Sequence, residues 1–435
     1  MKNNLKLLII FLFICNCSLD TKSGFWSKTE KINEKDNSKL KKFFVEKNIL
    51  EKEFNTKIKI NLKQNNLSNN FTDNNTNNNG NVNFTGSLKK KSKYKFKKIN
   101  NFINIRPELL FTKDKSFVFF DNKGAIIKFD ENSNLEWKTN IYNKKEIKLN
   151  PILSFSNNEE FLLVVDNLGK YYAINLNNGN LIWSKKNIAP FNSQIKILKD
   201  KFYAIDYNNI LRCFSVKNGT ELWNFESEKT LIKSLERLSI VISNNLVIFQ
   251  NSLGDLLAVD NNTGNLIWQS PTEKNIMNQN IFTIKNSDLV LHKNSIYFSN
   301  NENSFYSVDS KNGIINWKQN INSHLRPTII EGLVFTITLE GYLVVVDSRN
   351  GNILRITNIF DQIKSTKRKN VTPVGFIIAS NKIYLSLEDG RMILIDVLNG
   401  KSVDIIKITN SKISRPQIVD NQMYLIKNDA VIKVN

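Results

Sequence analysis

From about residue 110 to the C-terminus, short apolar runs alternate with polar turns in a fixed order. The runs are rich in Val, Ile, Leu, Phe and Tyr, the residues that suit a half-buried strand. Four runs make one module. In one copy they read Pro327–Ile330, Leu333–Thr338, Tyr342–Val346 and Asn352–Ile356. The third run of each module ends on Asp or a small polar residue: Asp130, Asn175, Ser215, Asp260, Asp309, Asp347 and Asp396. These positions recur about every 38–49 residues, the period of a four-stranded propeller blade.

A tight turn follows each third run, mostly with glycine, at Gly179, Gly219, Gly264, Gly313, Gly351 and Gly400. Glycine reaches positive φ without penalty, and a preceding Asp can cap such a turn with its carboxylate. A fourth run then carries tryptophan, at Trp137, Trp183, Trp223, Trp268 and Trp317, while Arg355 and Asp404 stand in the sixth and seventh copies. Tryptophan suits a wedge between sheets, with its indole N–H finding an acceptor. Asp, Gly and Trp are therefore structural in this pattern. The C-terminus holds half a copy, Gln422–Ile426 and Asp429–Val434, with no turn or Trp run after it. Ser92–Ile99 alternates with period two and is expected to supply the missing strand. The expected fold is all-β: an eight-bladed propeller of four-stranded antiparallel blades over 93–435, closed by an N-terminal strand. Closure removes the free sheet edges that invite aggregation.

The N-terminal part differs. Lys2 and Lys6 precede an unbroken apolar run, Leu7–Ile14, which is too short to span a bilayer. With Ile14-Cys15-Asn16-Cys17-Ser18 after it, the segment resembles a bacterial lipoprotein signal. Residues 1–16 are then the signal peptide and Cys17 the lipid anchor; Cys15 fits less well because bulky Ile14 would precede the cut. An ordinary secretory signal is the alternative. Ser18 after the anchor, by the same resemblance, favours the outer membrane. Residues 17–92 read as a tether, with a short helix expected at 38–52. The stretch Asn61–Gly86 is dominated by asparagine and glycine and has little apolar surface to offset chain entropy.

Lys and Arg number 61 against 40 Asp and Glu, a formal charge of +21 in 435 residues. This is either a solvated lysine-rich surface or an attraction for anionic lipid or an acidic partner. No nucleic-acid-binding motif accompanies it, so nucleic acid is not an expected partner. The densest basic run, Lys89-Lys90-Lys91-Ser92-Lys93, lies on the approach to the closing strand. Beyond the N-terminal pair, Cys213 is the one cysteine, in a strand-like run, which rules out a disulfide framework in the body. The two histidines, His292 and His324, have no Cys/His/Asp cluster at metal-ligand spacing. Phosphate-loop and hydrolase-triad patterns are absent. No catalytic residue, metal or cofactor is expected.

Gly341–Gly351 (Gly-Tyr-Leu-Val-Val-Val-Asp-Ser-Arg-Asn-Gly) and Gly254–Trp268 (Gly-Asp-Leu-Leu-Ala-Val-Asp-Asn-Asn-Thr-Gly-Asn-Leu-Ile-Trp) resemble repeats of the pyrroloquinoline-quinone propeller superfamily. That superfamily includes quinone-dependent dehydrogenases and non-enzymatic scaffolds, so the resemblance specifies fold before function. The dehydrogenases stack their cofactor against a vicinal cysteine pair and carry long insertions; this body has Cys213 alone and uniformly short blades. A lipoprotein signal, a tether and compact blades are together similar to the lipoprotein propellers of the outer-membrane β-barrel assembly machinery. The resemblance implies a non-enzymatic scaffold, lipid-anchored at the periplasmic face of the outer membrane and monomeric within a hetero-complex. It would bind the periplasmic part of the central barrel subunit and nascent outer-membrane proteins. In that family one rim makes the contact through loops of the middle blades. The matching segments are Ile232–Leu238 and Lys285–Asp288, with Leu235 as apolar anchor and Glu236, Arg237 and Asp288 as charged neighbours. A quinone- and calcium-dependent dehydrogenase, and a general glycan- or protein-binding propeller, are the alternatives.

Overall fold

The computed structural model describes residues 52–63, 75–99, 105–132, 134–228, 233–234, 236–272, 285–368 and 371–435. Cys17, Leu235 and nearly all of the expected helix at 38–52 lie outside these residues. Strands form eight antiparallel four-stranded units. Blades 1 to 7 span Leu110–Thr139, Leu153–Lys186, Lys196–Glu226, Ile240–Ser270, Val290–Gln319, Thr328–Asn358 and Pro373–Lys407. Blade 8 takes three strands from Gln417–Val434 and its outermost from Lys90–Lys95, which pairs antiparallel with Ala430–Val434. The expected closing strand is therefore present. First strands of successive blades face one another around a central channel.

The repeated phrase works between blades. Each indole N–H donates to a carbonyl of the next blade's turn: Trp137 to Leu176 at 3.0 Å, Trp183 to Val216 at 3.1 Å, Trp223 to Asn261 at 3.3 Å, Trp268 to Ser310 at 3.2 Å and Trp317 to Ser348 at 3.0 Å. The turn beneath is capped by its own acid: Asp260 Oδ1 accepts the N–H groups of Asn262 and Thr263, each at 2.9 Å. Gly313 has φ +74°, and a Cβ there would lie 2.5 Å from the Trp268 ring. The glycine thus serves both the turn and the approach of the neighbouring indole. A bulge just before the Trp position recurs in the outermost strands of blades 1 to 7. Such a bulge bends and twists the strand.

Blade 6 replaces the wedge by Arg355, which is fully buried. Its Nη2 donates to Val397 O at 2.8 Å and its Nη1 to Leu398 O at 2.7 Å. Val397 follows Asp396, so Nη2 reaches the carbonyl position that Trp317 reaches in the blade before. Burial lowers the Arg355 pKa to about 10, partly offset by Asp396. Cys213 is buried in the sheet of blade 3, and burial pushes its thiol up to about 12.

Within the expected tether, the described residues pack against the ring. Residues 75–86 enter the ring. Asn77 is buried; its Nδ2 reaches Gln194 Oε1 (3.2 Å), Ser239 Oγ (3.3 Å), Ile240 O (3.3 Å) and Leu289 O (2.9 Å), and its Oδ1 accepts from Lys196 Nζ at 2.6 Å. Asn78 bonds the backbone of Ile329 in both directions, at 3.0 and 3.1 Å. Asn81–Val82 then adds a short parallel strand inside blade 7. Upstream, Phe54 bridges Ile356 on the outer strand of blade 6, and Ile60 and Leu62 join the core between blades 6 and 7. The low apolar content of this stretch suggested no packing, but inner strands leave polar edges. An asparagine amide can satisfy such edges as donor and acceptor at once.

Two outcomes test these contacts. Asn77→Ala removes bonds to three blades; at about 1 kcal/mol net per bond, urea unfolding should show a loss of about 2–4 kcal/mol. A loss near zero would mean that the segment only rests in the channel. Arg355→Met leaves buried carbonyls unmet, at about 1–3 kcal/mol each, whereas Arg355→Trp restores the residue of the repeat and should keep most of the stability. Equal losses for the two variants would refute the wedge role of Arg355.

Candidate functional site

One mouth of the channel is built from the residues that lead into the first strands. Glu108, Asp288, Arg326 and Arg415 each lie two residues before the first strand of blades 1, 5, 6 and 8. The ring brings these equivalent positions together. Glu108 is the hub: it pairs with Arg326 at 2.7 Å, Arg237 at 3.3 Å and Arg415 at 3.8 Å. Arg326 also grips Asp288, with Nε donating to Oδ2 at 2.8 Å and Nη2 to the same oxygen. Arg106 pairs with Glu236 and donates to Asn286 O at 3.0 Å, while Lys285 stands 3.8 Å from Glu236.

Burial opposes ionisation of Glu108 and Asp288, but Arg326 and Arg237 outweigh it and hold both carboxyls below their usual range. Burial would lower Arg326, yet Asp288 and Glu108 raise it. Arg415 is pushed down to about 9 by burial and by Arg326. Lys196, further along the channel, is lowered to about 7 by burial and by Arg326. Burial, with Arg106 and Lys285, lowers His324 to about 3. The cluster divides two spaces. A central cavity of about 570 Å³ lies against Asn75–Asn79 and the inner strands of blades 1, 2, 3 and 8. A smaller one of about 270 Å³ lies among the loops, and Glu108, Arg237, Arg326 and Arg415 border both.

Three of the four expected contact residues, Glu236, Arg237 and Asp288, therefore meet at one mouth; the fourth, Leu235, lies outside the described residues. Their setting differs from the expected exposed hot spot. The side chains of Glu236, Arg237 and Asp288 are 14%, 19% and 8% exposed, and each is held in an internal ion pair. The sequence reading missed Arg106, Glu108, Arg326 and Arg415. A usable signal existed, because Glu108, Arg326 and Arg415 share with Asp288 one repeat position that Pro151, Gln194, Leu238 and Val371 fill in the other blades.

The model of the family described as outer membrane protein assembly factor BamB matches residues 122–357. The chain belongs to the BamB family. The crystal structure of BamB from Moraxella catarrhalis superposes with TM-score 0.65 at 12% identity, covering 80% of this chain and 100% of that one. The quinohemoprotein alcohol dehydrogenase from Comamonas testosteroni gives 0.62 at 10% identity, over 81% and 78%. A computationally designed protein, Ika8, gives 0.59 at 12%, over 80% and 98%. At such identities these likenesses establish the propeller alone. No curated protein sequence matches the chain.

The quinone-and-calcium alternative can be tested on the side chains. Calcium needs several oxygen ligands around one point. Among the described residues no group of three His, Cys, Asp or Glu is placed to hold a metal, and Glu108 and Asp288 are taken up by arginines. Cys213 lies within a sheet and has no adjacent cysteine. The described residues do not fit that cofactor set. Among the described residues, no helix is long and apolar enough to cross a membrane.

His324 yields a pH test. Its folded pKa, about 3, lies below the value of about 6.5 expected when unfolded. Between these values the unfolded chain binds the extra proton, so stability rises with pH across this window and is lost as pH falls. His324→Gln should flatten the fall in melting temperature between pH 6.5 and pH 4 (about the span of the shift). An unchanged slope would place the acid sensitivity elsewhere.

Proposed function

We propose that this chain is a non-enzymatic scaffold of outer-membrane β-barrel assembly, anchored through Cys17 at the periplasmic face of the outer membrane. It binds the periplasmic part of the central barrel subunit, and nascent outer-membrane proteins, through loops at the charged mouth. One observation carries the reading: Glu236, Arg237 and Asp288, from loops of blades 4 and 5, meet at a single mouth and are cross-linked there by Arg106, Glu108 and Arg326. Membership of the BamB family supplies the partner class. The ion pairs hold the described parts of these loops in shape, so that neighbouring side chains are presented rigidly. Little ordering entropy then remains to be lost on binding.

Co-purification from detergent-solubilised envelopes tests this. The wild type should retain the barrel subunit, and the double variant Leu235→Ala, Arg237→Ala should retain about tenfold less, the effect of removing one or two hot-spot side chains. Absence of the subunit from the wild-type fraction would end the proposal. Palmitate labelling that is lost in Cys17→Ala checks the anchor.

A further inference from the structure

The charged mouth holds more positive charge than its own carboxylates balance. Six Lys and Arg side chains line the outer cavity against four Asp and Glu. Lys196 lies on the inner side, its charge weakened by burial and by Arg326. Three guanidinium groups, from Arg237, Arg326 and Arg415, share the single carboxylate of Glu108. Arg415 is 10% exposed; its Nε donates to Phe376 O at 2.9 Å, and its Nη2 is buried without a hydrogen-bond partner. Arg237 Nε is buried and unpartnered in the same way. An unmet donor on a buried charged group costs more than an unmet neutral one. The blade repeat does not demand Arg326 or Arg415, since Pro151, Leu238 and Val371 fill the equivalent place in three other blades.

We propose that the arginine cluster is a binding site for a small oxyanion, a di- or tricarboxylate or a phosphate, that enters through the outer cavity and lodges between Arg237 and Arg415. Paired oxygens match the fork of a guanidinium, and several oxygens on one ligand can serve two arginines at once. The outer cavity, about 270 Å³, has room for a molecule of that size. An occupant would neutralise the excess charge and brace the loops of blades 1, 4, 5, 6 and 8 against one another. This site does not rest on the scaffold reading, because the isolated chain should bind the anion whether or not it binds a barrel subunit.

Isothermal titration of the purified full chain with citrate, malonate and inorganic phosphate, at constant ionic strength, tests the site. At least one of the three should bind saturably at one site per chain; which of them does so separates carboxylate from phosphate. Arg415→Gln should weaken that binding tenfold or more, and Arg237→Gln should weaken it similarly. Arg391→Gln, in blade 7 beside Asp389, should leave it unchanged. No saturable heat with any of the three overturns the proposal. Equal affinity in cooperatively folded Arg415→Gln and Arg237→Gln overturns it too, because the anion then sits on surface lysines. Should neither variant fold, crystals of the wild type grown with the bound anion decide: density between Arg237 and Arg415 supports the site, and density elsewhere refutes it.

Discussion

The contact on which the ring depends is an indole laid over a glycine. In blades 1 to 5 the tryptophan of the outermost strand reaches the next blade, donates to the carbonyl after the turn Asp or its equivalent, and rests where a Cβ would otherwise stand. Blades 2 to 5 therefore each carry half of two such contacts, and none of them completes its own. Stability in such an array comes from neighbour-to-neighbour terms, and the ring closes only if the last blade finds a partner. The strand Lys90–Lys95 provides that partner from the far end of the sequence.

Much of this was legible because the repeat is periodic in the residues that impose geometry. Gly264 and Gly313 mark turns that need positive φ, and Trp223 and Trp268 mark the wedges that lie over them. The half copy at the C-terminus pointed to a missing strand, and period-two alternation pointed to where it came from. What was not legible is the part that obeys no period. Asn77 and Asn78 belong to an asparagine-rich stretch with the composition of a disordered chain, yet their amides satisfy polar groups on blades 3 to 6. Composition weighs apolar surface; it does not register a side chain whose donors and acceptors match a ring of backbone edges.

The candidate site shows the same limit. Glu236, Arg237 and Asp288 could be picked out through the family resemblance of their loops, but their partners lie in other blades, more than a hundred residues away in the case of Glu108 and Arg237. Only closure of the ring places the start of blade 1 beside the starts of blades 4, 6 and 8. The charges consequently look like ordinary loop residues along the chain and like one network in space. The asparagine segment reaches the same region from inside the channel: Asn77 bonds Gln194, which holds in blade 3 the repeat position that carries charge in blades 1, 5, 6 and 8, and Leu289, next to Asp288.

Two buried arginines sharpen the distinction between holding the ring and serving a site. Arg355 sits where the repeat calls for a wedge, and its two terminal nitrogens go to carbonyls of the following turn. Its cost of burial is met by a contact that every other ring position from blade 1 to blade 5 also makes. Arg415 sits at a position that Pro151, Leu238 and Val371 fill without charge, so packing does not require it. Replacing buried ionic groups with apolar ones is often neutral or stabilising, and four charged residues at one repeat position run against that trend. Their common feature is location at one mouth of the channel. The physical reason for them must therefore be sought in what reaches that mouth, and not in the stability of the blades.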